Sequence, residues 1–178
     1  MQWTQKETML LQDMMNSEQI CIEKYTDYAE RACDPALKTL FDNIKSVEQG
    51  HYDTLSQMAN GTIPQMNAQG GQAQGNGQAQ GGANTQAQGK ANGQAQGGSA
   101  QSKKPGKTED SPAEDCEEDE YLCRDALDTE KHVSSLYDTC IFEFVSAQAR
   151  DVLNHIQKEE QEHGKQIYDY MSAHGMSA

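Results

Sequence analysis

One four-residue pattern occurs twice, 112 residues apart, and it limits what this chain can fold into. It reads Glu48-Gln-Gly-His51 and again Glu160-Gln-Glu-His163. Each is a Glu-x-x-His inside an apolar helical period, and side chains at i and i+3 share a helix face. A further glutamate in the same stripe precedes each motif by 30 residues, Glu18 before Glu48 and Glu130 before Glu160. The same offset lays Asp13 on Asp125, Tyr25 on Tyr137, Ile44 on Ile156 and Gln49 on Gln161. A gap-free offset of this kind reads as one helical hairpin present twice.

The periodicity predicts four helices. The first runs from about Gln5 to Ala32, opened by the capping box Thr4-Gln-Lys-Glu7, with an inward stripe of Leu11, Met14, Glu18, Cys21, Tyr25 and Tyr28. Asp34-Pro35 caps and starts the second, to about Ala59, with Leu37, Phe41, Ile44, Glu48, His51, Leu55 and Met58 inward. The third is predicted from about Asp119 to Val145, with Cys123, Ala126, Glu130, Val133, Tyr137, Cys140 and Phe144 inward. Ser146 caps the fourth, to about His174, with Ala149, Leu153, Ile156, Glu160, His163, Ile167 and Tyr170 inward. Most of the acidic run 109–120 reads as solvated, and its last carboxylates fall where negative charge favours the third helix's N-terminus.

Between the hairpins the composition changes. GQAQG occurs at 71–75, 77–81 and 93–97, with TQAQG at 85–89. From Gly61 to Lys107 there is no aromatic and no acidic residue, so this segment cannot bury enough surface to order itself and is expected to be disordered. The predicted organisation is a first hairpin at 1–60, a linker with an acidic end at 61–118, and a second hairpin at 119–178. The whole is expected to be all-α, a four-helix bundle with one long low-complexity crossover.

A net charge of −14 argues against nucleic acid or an anionic membrane as partner. No apolar run approaches the roughly 20 residues of a membrane span, and the N-terminal stretch has no apolar signal-peptide core. The five cysteines form no Cys-x-x-Cys pair, which argues against a thiolate zinc site. Cys21, Cys123 and Cys140 read as small buried hydrophobes. Cys33 and Cys116 sit at loop positions open to reaction or cross-linking.

With all four stripes inward, Glu18, Glu48, His51, Glu130, Glu160 and His163 meet near mid-bundle. Four unpaired carboxylates in an apolar core are costly, and two divalent cations cancel their charge. Imidazole ligands argue against calcium and magnesium, so iron or manganese fit best, with zinc possible. Glu48 and Glu160 are expected to bridge or chelate the two ions, His51 and His163 to bind one each, and Glu18 and Glu130 to be terminal ligands. Tyr25 and Tyr137 lie two turns along the same faces, placed to hydrogen-bond a ligating carboxylate. Glu159 is placed to orient a histidine across the bundle; its repeat counterpart is Val47. His132, His155 and His174 lie off the stripe.

Several stretches resemble the Coat F family of bacterial spore coat proteins, its clostridial members above all. They are Met9-Leu-Leu-Gln-Asp13, Glu18-Gln-Ile-Cys-Ile-Glu-Lys-Tyr25, Asn154 through His163, Tyr168-Asp-Tyr-Met171 and His174-Gly-Met176. The pattern Glu18-x6-Tyr25 followed by Glu48-x-x-His51 is also similar to rubrerythrin and bacterioferritin, di-iron proteins of the ferritin-like superfamily. The resemblance implies a ferritin-like domain made in the mother-cell cytoplasm and placed in the spore coat among other coat proteins, as a monomer or homo-oligomer. Helix three departs from rubrerythrin, having Val133 one turn after Glu130 and no rubredoxin-type cysteine module.

Two functions are consistent with these residues. One is a coat-associated dimetal protein acting in peroxide or oxygen detoxification, or in metal oxidation. The other is a structural coat component without turnover. There Lys90, Lys103, Lys104 and Lys107 of the glutamine-rich linker would suit Gln–Lys cross-links, and Cys33 or Cys116 would suit disulfides. No catalytic residue is assigned from the sequence.

Overall fold

Residues 2–65 and 117–177 are described by a computed structural model. It is all-helical, with four helices and no strand among these residues: α1 Gln5–Arg31, α2 Pro35–Ala59, α3 Glu117–Ile141 and α4 Ala147–Ala173. The repeated linker segment, its lysines and Cys116 lie outside the described residues.

Three of the four starts are set by local chemistry. Thr4 Oγ1 accepts from the Glu7 amide while the Glu7 carboxylate accepts from the Thr4 amide, a reciprocal capping box. Asp34 caps α2 through the Ala36 amide, with Pro35 in the first turn where no amide hydrogen is needed. Ser146 caps α4 through the Ala149 amide. Gly61, just past α2, and Gly175, past α4, take left-handed backbone at φ of 85° and 69°, where a Cβ would be strained.

Each helix then buries its stripe in one apolar cluster. α1 packs on α2 and α3, and α4 packs on α3 and α2. Tyr25 of α1 reaches Glu130 of α3 and Tyr137 reaches back to Glu18, so α1 and α3 are antiparallel. His51 of α2 meets Glu160 of α4 while Glu48 meets His163, so these two are antiparallel as well. With short turns inside each hairpin, α2 and α3 therefore run in the same direction. The residues that leave α2 and enter α3 lie at opposite ends of the core.

The 112-residue repeat is visible in the tertiary contacts. The Glu7 carboxylate of α1, 4% exposed, accepts from the Val145 amide in the α3–α4 turn at 3.0 Å. Its counterpart is Asp119 of α3, 3% exposed, which accepts from the Cys33 and Asp34 amides in the α1–α2 turn at 2.7 and 3.0 Å. Each half thus caps the other's turn. Asp119→Ala is expected to destabilise the fold by about 2 kcal/mol, because two turn amides lose a charged acceptor. Asp119→Asn, which keeps one carbonyl oxygen, should lose less. Thermal melts of the two variants check this, and an unchanged midpoint for the alanine variant would refute it.

Helix three departs from its sequence-based bounds at both ends. It begins at Glu117 rather than Asp119, and Asp119, within its first turn, is a buried acceptor. It ends at Ile141 rather than Val145, because the chain turns out of the helix to deliver the Val145 amide to Glu7. The Arg150 guanidinium holds the released Phe144 and Val145 carbonyls. Phe144 is still buried, but from the turn, edge-on to Trp3 with ring centroids 5.6 Å apart. In α4, Met171 takes the inner position expected of Tyr170. Tyr170 is half-buried because its hydroxyl donates to Asp34 at 2.7 Å, at the start of α2.

Candidate metal centre

Glu18, Glu48, His51, Glu130, Glu160 and His163 converge at mid-bundle, none of them more than 3% exposed. Their donor atoms form two overlapping groups. One is Glu18, Glu48, His51 and Glu160; the other is Glu48, Glu130, Glu160 and His163, the atoms of each lying within 4.8 Å of one another. Donors about 2.1 Å from one ion lie roughly 3 Å apart when adjacent and about 4.2 Å apart when opposite. Each group has the compactness that a shared ion demands.

The sharing is resolved atom by atom. His51 Nδ1 lies 3.0 Å from Glu48 Oε2, 2.9 Å from Glu160 Oε1 and 3.6 Å from Glu18 Oε2. His163 Nδ1 lies 3.2 Å from Glu48 Oε1, 3.7 Å from Glu160 Oε2 and 3.5 Å from Glu130 Oε2. Glu48 and Glu160 therefore each turn one oxygen toward each histidine, while Glu18 and Glu130 serve one side only. The two imidazoles are stacked, 5.8 Å between centroids.

Of these approaches, His51 Nδ1 to Glu48 Oε2 is a hydrogen bond, and the atoms facing it across the centre have no such partner. Glu18 Oε2, Glu48 Oε1, Glu130 Oε2, both Glu160 oxygens and His163 Nδ1 are buried and have no hydrogen-bond partner. A buried polar atom left this way costs roughly 1–3 kcal/mol, more when charged. Six such atoms in two overlapping donor groups are an arrangement that could hold two cations.

The outer oxygens are held in place. Tyr25 donates to Glu130 Oε1 and Tyr137 donates to Glu18 Oε1, each phenol supporting the terminal glutamate of the other half. His51 Nε2 lies 3.0 Å from Glu159 Oε2, which favours the tautomer that leaves Nδ1 free to ligate. The position behind His163 that corresponds to Glu159 is held by Val47, so the two imidazoles differ in their support. Cys21, one turn after Glu18 on the same face, is also close. Burial first, and then the four carboxylates, push its thiol far up, so it stays protonated.

The metal-free charge state follows from burial and crowding. Burial pushes the Glu18 and Glu130 carboxyls up to about 8. Burial also opposes charge on His163, but the carboxylates of Glu130, Glu160 and Glu48 outweigh it and raise the imidazole to about 11. His51 is raised well above its usual value in the same way. Glu48 is held down to about 2, its two histidine neighbours overcoming burial, and Glu160 is lowered as well.

A pH prediction follows, with a definite sign. Glu18 and Glu130 keep protons in the fold that the unfolded chain releases near pH 4.5, so the metal-free fold loses stability as pH rises from there toward 8. The raised histidines act in the same sense above about pH 6.5. Metal loading needs those protons gone, so affinity rises over the same window. The melting-temperature gap between metal-loaded and metal-free protein is expected to widen from pH 6 to pH 8. A gap that is constant or narrows would contradict this protonation scheme.

The other histidines stay outside. His132 is exposed, His155 is 49% exposed with its ring 3.4 Å from Glu159, and His174 stacks on Tyr170. Cys21, Cys123 and Cys140 are buried and free, and Cys33 is disulfide-bonded.

One family model matches the C-terminal hairpin. Residues 118–178 match the Coat F domain. The matched segment runs from the second residue of α3 through α4, about a third of the chain. No curated protein and no solved structure matches the chain. The Coat F segment holds Glu130, Glu160 and His163. Glu18, Glu48 and His51 come from the hairpin outside the match. No helix among the described residues is long and apolar enough to cross a membrane.

Proposed function

We propose that this is a spore coat protein of ferritin-like fold whose core binds two divalent metal ions, iron or manganese, with zinc a third option. The observation that carries the reading is the set of six buried, unpartnered donor atoms converging on two overlapping centres. Glu48 and Glu160 would bridge. Glu18 with His51, and Glu130 with His163, would complete the two positions. Mixed carboxylate and imidazole donors suit iron and manganese better than calcium or magnesium. A carboxylate-bridged pair of such ions supplies Lewis acidity and one-electron redox capacity when bound.

The residues around it have separable tasks. Tyr25 and Tyr137 fix the outer oxygens of the terminal glutamates, which aims the inner oxygens at the centre. Glu159 sets the orientation of His51. His51, His163, Glu18 and Glu130 release protons as the ions enter. The reaction best suited to this set would be reduction of peroxide or oxygen by electrons from Fe(II) or Mn(II), which would be oxidised in turn, within the coat, where the chain would sit among other coat proteins.

The test is the metal content of the full chain purified from iron- or manganese-supplemented cells. Two ions per chain are expected. Metal-free protein with an intact fold would overturn the site. Loaded protein that neither consumes peroxide nor oxidises Fe(II) would remove turnover and leave the ions as a structural staple.

A further inference from the structure

The two halves of the centre are not equally closed. A cleft of about 490 Å³ opens between α3 and α4, with Glu130 and Glu160 among the residues that line it. Leu127, Ser134, Gln157 and Gly164 are among the residues that line it. Gln157 spans the two helices, its amide donating to the Ser134 carbonyl at 3.0 Å. By the 112-residue offset the first hairpin carries Tyr52 where this hairpin has Gly164, and Ile22 where it has Ser134. Both larger side chains are half-buried there. Gly164 sits in the middle of α4, where glycine weakens a helix. The space does not require glycine, because a Cβ there would make ordinary contacts with Leu127 and Glu130 at 3.6 and 3.8 Å. A second cleft, about 250 Å³ between α2 and α4, ends on His51 and Glu159, so it lies behind an imidazole rather than against ligand oxygens.

We infer that the α3–α4 cleft is the entry by which small uncharged molecules of the peroxide or dioxygen class reach the centre, and that they arrive at the Glu130/His163 position. This rests on the dimetal reading above. The serines and glutamines of the cleft offer hydrogen bonds beside the Leu127 side chain, and at its rim Lys131 and Asp138 carry opposite charges. Its volume exceeds the roughly 30 Å³ share of one water many times over. The Glu18/His51 position has Tyr52 and Ile22 on the corresponding side.

The test uses the full chain loaded with Fe(II), with nitric oxide as a neutral diatomic probe followed by stopped-flow absorbance. Iron per chain is measured first. Gly164→Leu and, separately, Ser134→Ile are expected to keep two irons and slow nitric oxide binding at least tenfold. Tyr52→Ala, which opens the matching place in the first hairpin, is expected to speed it. Two irons retained with an unchanged rate in both cleft variants would overturn the route while leaving the centre intact. A wild-type chain without iron would overturn the centre and the route together. Should Gly164→Leu disturb iron binding, Ser134→Ile, whose side chain is not in the ligand set, decides the matter by the same rate.

Discussion

Glu160→Ala should empty both metal positions at once, whereas Glu18→Ala should empty one. The difference lies in how the oxygens are shared: Glu160 turns one toward each histidine, and Glu18 faces only His51. Glu48→Ala is expected to behave like Glu160→Ala, and Glu130→Ala like Glu18→Ala with the positions exchanged. A ligand held at 1,000 times its dissociation constant stabilises the fold by about 4 kcal/mol, so two such ions contribute roughly 8 kcal/mol. For an ordered core of this size that corresponds to a melting-temperature difference on the order of 20–30 °C. Elemental analysis and calorimetry on the same samples measure both. Two ions retained by Glu160→Ala, or none retained by Glu18→Ala, would refute the bridging arrangement.

The metal-free bundle should become more stable when part of its centre is made apolar. Without metal, Glu18 and Glu130 are buried carboxyls whose pKa burial pushes up to about 8. Replacing both by leucine removes that burden but orphans the phenols of Tyr137 and Tyr25, so those should become phenylalanine in the same variant. What remains is two histidines against Glu48 and Glu160, a balanced set. Exchanging buried ionisable groups for apolar ones of similar volume stabilises by about 1–4 kcal/mol in comparable cores. Urea titration of the metal-free quadruple variant should show a higher midpoint with an unchanged slope. It should also show no metal-dependent shift. A lower midpoint would mean that the carboxyls contribute net stability, contrary to the reading that they are kept for metal.

Much of the fold is legible in the sequence because the helical period and the caps are local. Thr4 with Glu7, Asp34-Pro35 and Ser146 set three helix starts within a residue. The stripes through Glu18, Glu48, Glu130 and Glu160 name the buried faces. The features that escape are those in which one residue serves a distant one. Glu7 has a complete local explanation as a capping-box carboxylate, which hides its bond to Val145. Asp119 sits in a run of charges that looks solvated, yet it is buried against the α1–α2 turn. The exchange of Tyr25 and Tyr137 between halves depends on α1 and α3 being antiparallel, which no single stripe records. The offset of 112 did hold a signal for the first pair, since it lays Glu7 on Asp119 and Cys33 on Val145.

Those reciprocal bonds have a consequence for how the chain exists at all. A lone first hairpin would expose the apolar stripe it buries against α3 and α4, leave its Cys33–Asp34 turn without Asp119, and strand Glu18 without the Tyr137 phenol. A lone second hairpin would lack Glu7 and Tyr25 in the same way. The two are complementing fragments that happen to share a backbone. Each therefore supplies what the other's turn and terminal glutamate need.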